Sequence, residues 1–365
     1  MRVLIAGGGT AGHVFPALAL ARRLAADGHD VGFAGTAAGQ EARLVPAAGF
    51  ALEEIEACPF VREVSLRAAM APLVAIRSIR RCRSLVQERD VVVGMGGYVS
   101  VPVALAAIRA RRPLVLHEQN AVPGLANRTL ARAARTVALS FAEAARMLPR
   151  RTAKVVTGNP VREEVLVVHA ERDRLAKEAA SEFDLDPERA TVVVVGGSQG
   201  ARRLNRAVVD AVERISSEAQ LVLITGPAHA AMIDAALRSF RLTVRVLPFV
   251  ERMDLAYAIA DLLVARAGAS TVAEASVCGV PSLLIPYPHA TGRHQEANAR
   301  ALVRAGGATA LSDDDLTGET LAGRIDEMLG DVAALRVLGD RARTWSRPHA
   351  ADELARVVVA AADES

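Results

Sequence analysis

Two short segments in the second half of the chain combine small residues with hydroxyls and a carboxylate, the groups that can hold a phosphorylated sugar. Gly196–Gly200 and Gly268–Glu274 each follow an apolar run that predicts a strand and precede a pattern that predicts a helix. Such a turn presents backbone N–H groups at a helix N-terminus, which favours a phosphate. Glu274 lies a turn into the second helix, where its carboxylate could accept hydrogen bonds from two ribose hydroxyls. The pair of segments predicts a nucleotide-sugar site.

A third glycine-rich turn lies at the start of the chain. Gly7–Gly12 matches the pattern G-x-G-x-x-G between a predicted strand (2–6) and a predicted helix (14–26), which alone is a weak indication of a dinucleotide site. A dinucleotide fold also needs an acidic residue at the end of the second strand to hold a ribose. That strand instead runs into Phe33–Gly35. The mismatch argues against a nicotinamide or flavin, so no cofactor is predicted, and a tight turn for helix–strand packing is the alternative.

Polar residues follow three predicted strands of the first half. His13 begins the helix after the first turn, where it is either a base or a residue with no catalytic role. Gly94–Tyr98 and His117–Asn120 follow two further apolar runs. Four consecutive polar residues at a strand end are unusual for a core, so they are candidates for a site, although a polar surface loop is the alternative.

The sequence offers no convincing metal site. Asp184–Asp186 fits a D-x-D pattern, but it precedes a proline in a connection and is interpreted as turn and capping chemistry. Asp313–Asp315 is interpreted as a cluster at a helix start. Cys58, Cys82 and Cys278 lack metal-ligand spacing and a disulfide pattern, which favours a reducing cytoplasm.

Alternation of apolar runs with helical patterns predicts parallel sheets with right-handed crossovers. With 365 residues, 51% of them hydrophobic, the chain favours two domains. Gly158–Pro160 interrupts the pattern, which then restarts. We therefore predict an α/β protein with two Rossmann-like, doubly wound domains facing across a cleft, over residues 1–160 and 161–345, and a C-terminal helix over 346–365 that packs on the first domain. The predicted strands are 2–6, 30–34, 91–93, 114–116, 137–139, 154–156, 191–195, 221–225, 243–247, 262–265 and 282–286.

Charge and hydropathy limit the possible partners. The net charge of +3 and an aromatic content of 3% do not indicate nucleic acid. Two charge-free runs, Val91–Ile108 and Ala275–Gly292, contain several glycines and prolines and are predicted to be parts of sheets rather than membrane spans. The chain enters a strand at once, so no signal peptide is expected.

A basic helix is predicted over Pro72–Gln87. Its apolar stripe includes Ile76 and Ile79, and five arginines without an acid lie between Arg67 and Arg83. An ordinary domain helix explains the stripe, and a basic amphipathic helix on a membrane surface is the alternative.

Taken together, the motifs resemble those of the MurG family, the UDP-N-acetylglucosamine:N-acetylmuramyl-(pentapeptide) pyrophosphoryl-undecaprenol N-acetylglucosamine transferases of peptidoglycan synthesis. The resemblance covers nearly the whole chain and rests on six segments in the family's order: Gly8–His13, Gly94–Ser100, His117–Asn120, Gly158–Arg162, Gly196–Asn205 and Ala269–Glu274. It implies a GT-B fold, with UDP-GlcNAc mainly at the C-terminal domain and lipid I, the undecaprenyl-linked acceptor, at the N-terminal one. It also implies a peripheral protein on the cytoplasmic face of the cell membrane, in contact with its anionic surface, that serves cell wall biogenesis, cell shape and cell division.

The resemblance assigns roles residue by residue. In the family pattern Ser198 meets the diphosphate, Glu274 the ribose and Gln295 the GlcNAc hydroxyls, while Val250 meets uracil through its backbone. The implied donor-binding positions are Thr10, Ala11, Gly12, Asn120, Arg162, Ser198, Val250, Ala269, Ser270, Thr271, Val272, Ala273, Glu274 and Gln295. The positions implied near the acceptor or the reacting centre are His13, Tyr98, Glu118 and Asn298. Ala11 replaces a frequent third glycine, and His294 replaces a second glutamine found in some members.

The implied reaction is an inverting transfer of GlcNAc to the C4 hydroxyl of MurNAc in lipid I, which forms lipid II. His13 is the first choice for the catalytic base and Glu118 the second. Two alternatives remain. One is another GT-B enzyme acting on UDP-GlcNAc, such as a 2-epimerase, and the other is a non-catalytic nucleotide-sugar binding module.

Overall fold

The computed structural model describes residues 1–57, 78–197 and 200–363, which divide into two compact units. Unit 1 comprises residues 1–162 together with the C-terminal segment from residue 347, and unit 2 comprises residues 163–346. The sequence places the corresponding boundaries at 160 and 345. Each unit is a parallel sheet covered by helices.

Unit 1 is built on a seven-stranded parallel sheet in the order β3-β2-β1-β4-β5-β6-β7. Its strands are β1 (Arg2–Ala6), β2 (Asp30–Gly35), β3 (Ala51–Glu54), β4 (Val91–Gly94), β5 (Leu114–Glu118), β6 (Thr136–Leu139) and β7 (Ala153–Val156). Its helices are α1 (Ala11–Ala26), α2 (Glu41–Ala47), α3 (described over 78–87), α4 (Gly97–Arg109), α5 (Leu125–Leu130) and the C-terminal α15 (Ala350–Asp363), with a 3-10 turn over Ala142–Met147.

Unit 2 is built on a six-stranded parallel sheet in the order β10-β9-β8-β11-β12-β13. Its strands are β8 (Thr191–Val195), β9 (Gln220–Ile224), β10 (Val244–Leu247), β11 (Leu262–Ala265), β12 (Ser282–Leu284) and β13 (Ala308–Ala310). Its helices are α6 (Glu163–Leu166), α7 (Arg172–Glu182), α8 (Arg202–Val212), α9 (Ala230–Leu237), α10 (Met253–Ile259), α11 (Ala269–Cys278), α12 (His294–Arg304), α13 (Gly318–Leu329) and α14 (Val332–Trp345), with a 3-10 turn over Thr291–Arg293.

The two sheets share one topological feature. In unit 1 the strand order reverses between β1 and β4, whose registers pair Ala6 with Gly94. In unit 2 it reverses between β8 and β11, which pair Val195 with Ala265. Ligands of open α/β sheets bind outside the carboxyl ends of strands at such switch points, and all three glycine-rich turns of the sequence lie there.

Continuous apolar runs form the central strands because both faces of a parallel sheet are covered by helices. All residues of β4, β8 and β11 are buried. The chain's last helix completes this cover in unit 1: Leu354 and Val358 of α15 are fully buried in the same cluster as α1 residues such as Leu20.

The predicted strands all occur, with ends shifted by two residues at most. Two short strands at sheet edges, β3 and β13, were not predicted, and α1 begins at Ala11 rather than Val14. The charge-free run Val91–Ile108 forms β4 and α4, and Ala275–Gly292 includes the end of α11 and β12, as predicted. Among the residues that the structure describes, no helix is long and apolar enough to span a bilayer.

The predicted basic helix is described only from residue 78 onward. In that part Cys82 and Val86 are fully buried in the core of unit 1, whereas Arg80, Arg81 and Arg83 are exposed. The buried side therefore behaves as an ordinary domain helix. Ile76 and Arg77 lie outside the described residues, as do Arg67 and Leu73.

Candidate functional site

The turn between β1 and α1 is held from two sides. Gly9 has φ +84°, and a Cβ at that position would lie 3.1 Å from Cε1 of Tyr98. On the other side, the Gly9 N–H donates to Oε2 of Glu41 at 2.8 Å. Thr10 caps the helix with extended backbone, and Ala11 and Gly12 form its first turn. The positive φ and the close neighbours explain why the turn is rich in glycine.

His13 lies between this turn and the start of α4. Its Nδ1 is 2.9 Å from the Thr10 hydroxyl oxygen. Its ring packs against the backbone of Gly96, where an added Cβ would lie 3.3 Å from the ring Cδ2 atom. Gly96 and Gly97 both have positive φ. Because Gly96 and Gly97 have no side chains, the His13 imidazole can pack directly against their backbone.

Glu118, at the end of β5, is buried and surrounded by hydrogen-bond donors. Oε1 accepts the Asn120 N–H at 2.9 Å, and Oε2 accepts the Gly124 N–H at 3.0 Å and the Asn127 side-chain amide at 2.8 Å. Burial raises the pKa of the Glu118 carboxyl, and these donors partly offset the shift. Asn127 was missed from the sequence, since it lies in α5 without any motif of its own.

His117 has a different environment from its neighbour. It is fully buried, and its Nε2 is 3.2 Å from the Gly158 carbonyl oxygen and 3.3 Å from the Ser140 hydroxyl. Burial lowers its pKa to about 4, so the ring is neutral at physiological pH. Its contacts tie β5 to the chain that leaves β7, which is a structural role.

Unit 1 thus brings together most of the first-half residues that the sequence singled out, at the adjoining ends of β1, β4 and β5. These residues are Thr10, His13, Tyr98, Glu118 and Asn120. Arg162, at the end of the unit, is buried, and its guanidinium lies 4.6 Å from the ring centroid of Phe15 in α1.

In unit 2, the segment Ala269–Glu274 opens helix α11, with Gly268 as the N-cap. Glu274 is only 6% exposed. Its Oε2 accepts a hydrogen bond of 2.9 Å from the hydroxyl of Tyr257, a core residue of α10. Tyr257 was missed from the sequence because it resembles any other buried aromatic residue. This hydrogen bond restricts the Glu274 side chain to the rotamers in which its carboxylate reaches the Tyr257 hydroxyl.

Residues of α12 support the same helix start. The side-chain amide of Asn298, which is fully buried, donates to the Ala267 carbonyl at 3.1 Å, just before the N-cap of α11. Gln295 Oε1 accepts the Tyr287 N–H at 2.9 Å. Asn298, predicted near the acceptor or the reacting centre, therefore lies in unit 2 beside the start of α11.

The turn after β8 approaches the end of β9 closely. Gly200 has φ +77°, and a Cβ there would lie 2.0 Å from the Thr225 carbonyl oxygen. The Asn205 amide donates to the same oxygen at 3.0 Å. Val250 is buried beyond the end of β10. Ser198, the predicted diphosphate contact, lies outside the described residues.

The aspartates that the sequence singled out in unit 2 form hydrogen bonds and ion pairs within that unit. The Asp186 carboxylate accepts the Glu188 N–H at 3.0 Å, and Asp184 pairs with Arg245, which agrees with turn and capping chemistry. Asp313, predicted at a helix start, is instead buried, and its Oδ1 lies 2.6 Å from Nη1 of Arg266. The N-cap of α13 is Thr317. Within the described ranges, no group of three His, Cys, Asp or Glu residues is arranged to hold a metal ion.

Comparison with known proteins gives the chain its family. Residues 3–139 match the N-terminal domain of glycosyltransferase family 28, and residues 191–344 match its C-terminal domain. The chain belongs to glycosyltransferase family 28. The resemblance found in the motifs is thereby confirmed, and the protein is a glycosyltransferase.

Individual relatives in this family match over the full length. The UDP-N-acetylglucosamine--N-acetylmuramyl-(pentapeptide) pyrophosphoryl-undecaprenol N-acetylglucosamine transferases of Halothermothrix orenii and Moorella thermoacetica are 37% and 41% identical, each with 98% of both chains covered. The crystal structure of Acinetobacter baumannii MurG is similar with a TM-score of 0.78 and 28% identity, over 98% of this chain and 99% of that one. The predicted GT-B fold, with two parallel-sheet α/β domains, is confirmed.

One prediction concerns the acid–base state of unit 1. We expect the Glu118 carboxyl to titrate above the usual 4.5 because burial disfavours its charge. Asn127→Ala should raise that pKa further, since a donor to the carboxylate is lost. Carbon NMR of the glutamate carboxyls against pH would measure both, with Glu118→Gln to assign the signal.

Thr129→Ala, on the exposed side of α5, is the matched control and should leave the signal unchanged. A Glu118 pKa at or below the usual value would contradict the prediction.

Proposed function

We propose that the protein transfers N-acetylglucosamine from UDP-GlcNAc to the C4 hydroxyl of MurNAc in lipid I, with inversion at C1, and so forms lipid II. The observation that carries the proposal is the full-length similarity to two transferases named for this reaction, at 37% and 41% identity. The intact polar groups of both units support it. A non-catalytic module would not need His13 and Glu118 to be held so closely by glycines and N–H donors.

Unit 2 is proposed to hold the donor. Glu274, fixed by Tyr257, would accept the ribose hydroxyls, and the backbone at Val250 would meet the uracil. Gln295 would contact hydroxyls of the GlcNAc ring. The start of α11 offers N–H groups beside Glu274, which suits a phosphorylated ligand.

The leaving group needs stabilisation as the C1–O bond breaks. The electron pair of that bond stays with UDP, so negative charge grows on the diphosphate. We propose that N–H groups of the turn at Gly196–Gly200 and the N-terminal dipole of α8 stabilise this charge. The D-x-D carboxylates at Asp184 and Asp186 are engaged in a turn, so we expect no metal dependence from them.

Unit 1 is proposed to bind the acceptor and remove its proton. As the C4 oxygen bonds to C1, its proton must pass to a base. His13 is our choice because its ring is oriented by Thr10 and seated on Gly96. Glu118 remains second: its raised pKa suits a base, but both of its oxygens already accept hydrogen bonds.

The acceptor is a polyprenyl lipid, so we propose that the protein works as a peripheral protein on the cytoplasmic face of the membrane. The exposed arginines of α3 support contact with anionic lipid head groups. They lie opposite Cys82 and Val86, which anchor the helix in unit 1.

An assay of the purified protein with UDP-GlcNAc and a lipid I analogue tests the proposed function. We expect a disaccharide product with a β1→4 bond, formed equally well in EDTA. Incubation with UDP-GlcNAc alone should yield no epimer. An epimer without acceptor would favour the 2-epimerase, and binding without turnover would favour the non-catalytic module.

For the donor site, Glu274→Ala should raise the donor KM by about 10- to 100-fold, because a buried hydrogen bond to a charged group is lost. Wild type should bind UDP more tightly than 2′-deoxy-UDP by calorimetry, and the variant should lose that preference. Glu327→Ala, on the exposed side of α13, is the control. An unchanged donor KM and an unchanged preference would refute the ribose role.

For the chemical step, His13→Ala should lower kcat by about 10²–10⁴-fold, as expected for loss of a general base. His29→Ala, in the connection before β2, should behave like wild type. Steady-state kinetics with both substrates separates the possible roles. A loss confined to the acceptor KM would make His13 a binding residue.

For the membrane surface, changing Arg80, Arg81 and Arg83 together to Glu should abolish sedimentation with anionic vesicles at low salt. Each arginine near such a surface contributes about 1 kcal/mol, and high salt should weaken wild-type binding as well.

A control with the same charge change uses three exposed arginines elsewhere in unit 1, Arg146, Arg150 and Arg151. If both variants bind vesicles as wild type does, the docking surface lies elsewhere.

A further inference from the structure

The Glu41 carboxylate lies inside the glycine-rich turn of unit 1. Glu41 is the first residue of α2 and is fully buried. Its Oε2 accepts the Gly9 N–H at 2.8 Å, and its Oε1 accepts both the N–H of Thr36 at 3.0 Å and the Thr36 hydroxyl at 2.8 Å. One carboxylate thus bridges the turn after β1 and the end of β2.

The surrounding glycines leave room for this carboxylate. A Cβ at Gly8 would lie 2.3 Å from the carboxyl carbon of Glu41, and a Cβ at Gly39 would lie 2.1 Å from Oε2. Gly8 occupies a variable position of the G-x-G-x-x-G pattern, and Gly39 lies in the connection after β2. The carboxylate of Glu41 therefore occupies the space that a side chain at either glycine would need.

The carboxylate is ionised although it is buried. Burial alone would raise its pKa, but N–H and hydroxyl donors from Thr36 and Gly9 outweigh it and lower the pKa below 4.5. Among the described residues, no Arg or Lys forms an ion pair with Glu41. The charge is therefore held by the same short hydrogen bonds that fix the turn.

The fixed turn leads directly to the residues of the proposed reaction. Gly9 precedes Thr10, whose hydroxyl oxygen is 2.9 Å from His13 Nδ1. The opposite side of Gly9 faces Tyr98. A shift of the Gly9 backbone would therefore move both Thr10 and the imidazole that Thr10 orients.

We propose that Glu41 is a positioning residue that acts through Gly9 and Thr10 to hold His13 in its reactive orientation. This inference rests on the proposed function, because it gives His13 a part in the transfer step. Misplacing a reacting group by about 1 Å can cost on the order of 100-fold in rate.

The test uses Glu41→Asp, which keeps the charge but shortens the reach, and Glu41→Gln, which keeps the size but replaces one acceptor oxygen with a donor. Both should lower kcat by about 10- to 100-fold. The affinity for UDP, measured by calorimetry, should stay within about twofold, because the contacts proposed for its uracil, ribose and diphosphate all lie in unit 2. Glu53→Gln, exposed on β3, is the matched control and should retain wild-type kinetics.

A second measurement does not depend on turnover. The nitrogen chemical shifts of the His13 ring should change in Glu41→Asp and stay unchanged in Glu53→Gln. Unchanged His13 shifts together with wild-type kcat in folded Glu41→Asp would overturn the proposal. So would an equal fall of kcat and UDP affinity, which indicates a general loss of structure.

The two proposals can fail separately. If wild type makes no product from UDP-GlcNAc and the lipid I analogue, the proposed function is wrong, whereas the His13 ring shifts still decide whether Glu41 orients that residue. If Glu41→Gln does not fold, Glu41→Asp carries the test. A kcat loss in Glu41→Gln alone, with normal Glu41→Asp, would mean that charge and not position matters and would also overturn the proposal.

Discussion

The parallel pairing of β1 with β4 and of β8 with β11 is the constraint on which the candidate site residues of both units depend. Because Ala6 pairs with Gly94, and Val195 with Ala265, the turns that follow these strands leave each sheet side by side. Neither pairing is local in sequence. A register shift of one residue would move every side chain of a strand to the opposite face of the sheet. It would also displace the two turns relative to each other. The same register therefore maintains both the buried apolar strands and the polar residues at their ends.

Around each switch point, a glycine backbone lies in close contact with a side chain or with another part of the backbone. His13 rests on Gly96, the Glu41 carboxylate lies against Gly8, and Gly200 approaches the Thr225 carbonyl oxygen. In each place a Cβ would collide with its neighbour or crowd it. The glycine motifs that first marked the chain are therefore explained at these positions by the room that the protein's own groups need.

The sequence was sufficient for the fold because long apolar runs between helical patterns have one common solution, the covered parallel sheet. It was insufficient for β3 and β13, which are short edge strands with few buried residues. In the site, the turns were predictable from glycine and hydroxyl spacing. Asn127, Tyr257 and Glu41 were not, since they act across 9, 17 and 32 positions and no periodic pattern relates such partners.

The return of α15 to unit 1 has a consequence for how the chain folds during synthesis. Residues 163–346 form an insertion in unit 1, so α15 is synthesised only after the whole of unit 2. Domains emerging from a ribosome generally complete in chain order, yet here the second unit can finish while the first still lacks the helix that covers Leu20 and its neighbours. Until α15 has been synthesised, that apolar surface of unit 1 remains uncovered in the nascent chain and accessible to chaperones.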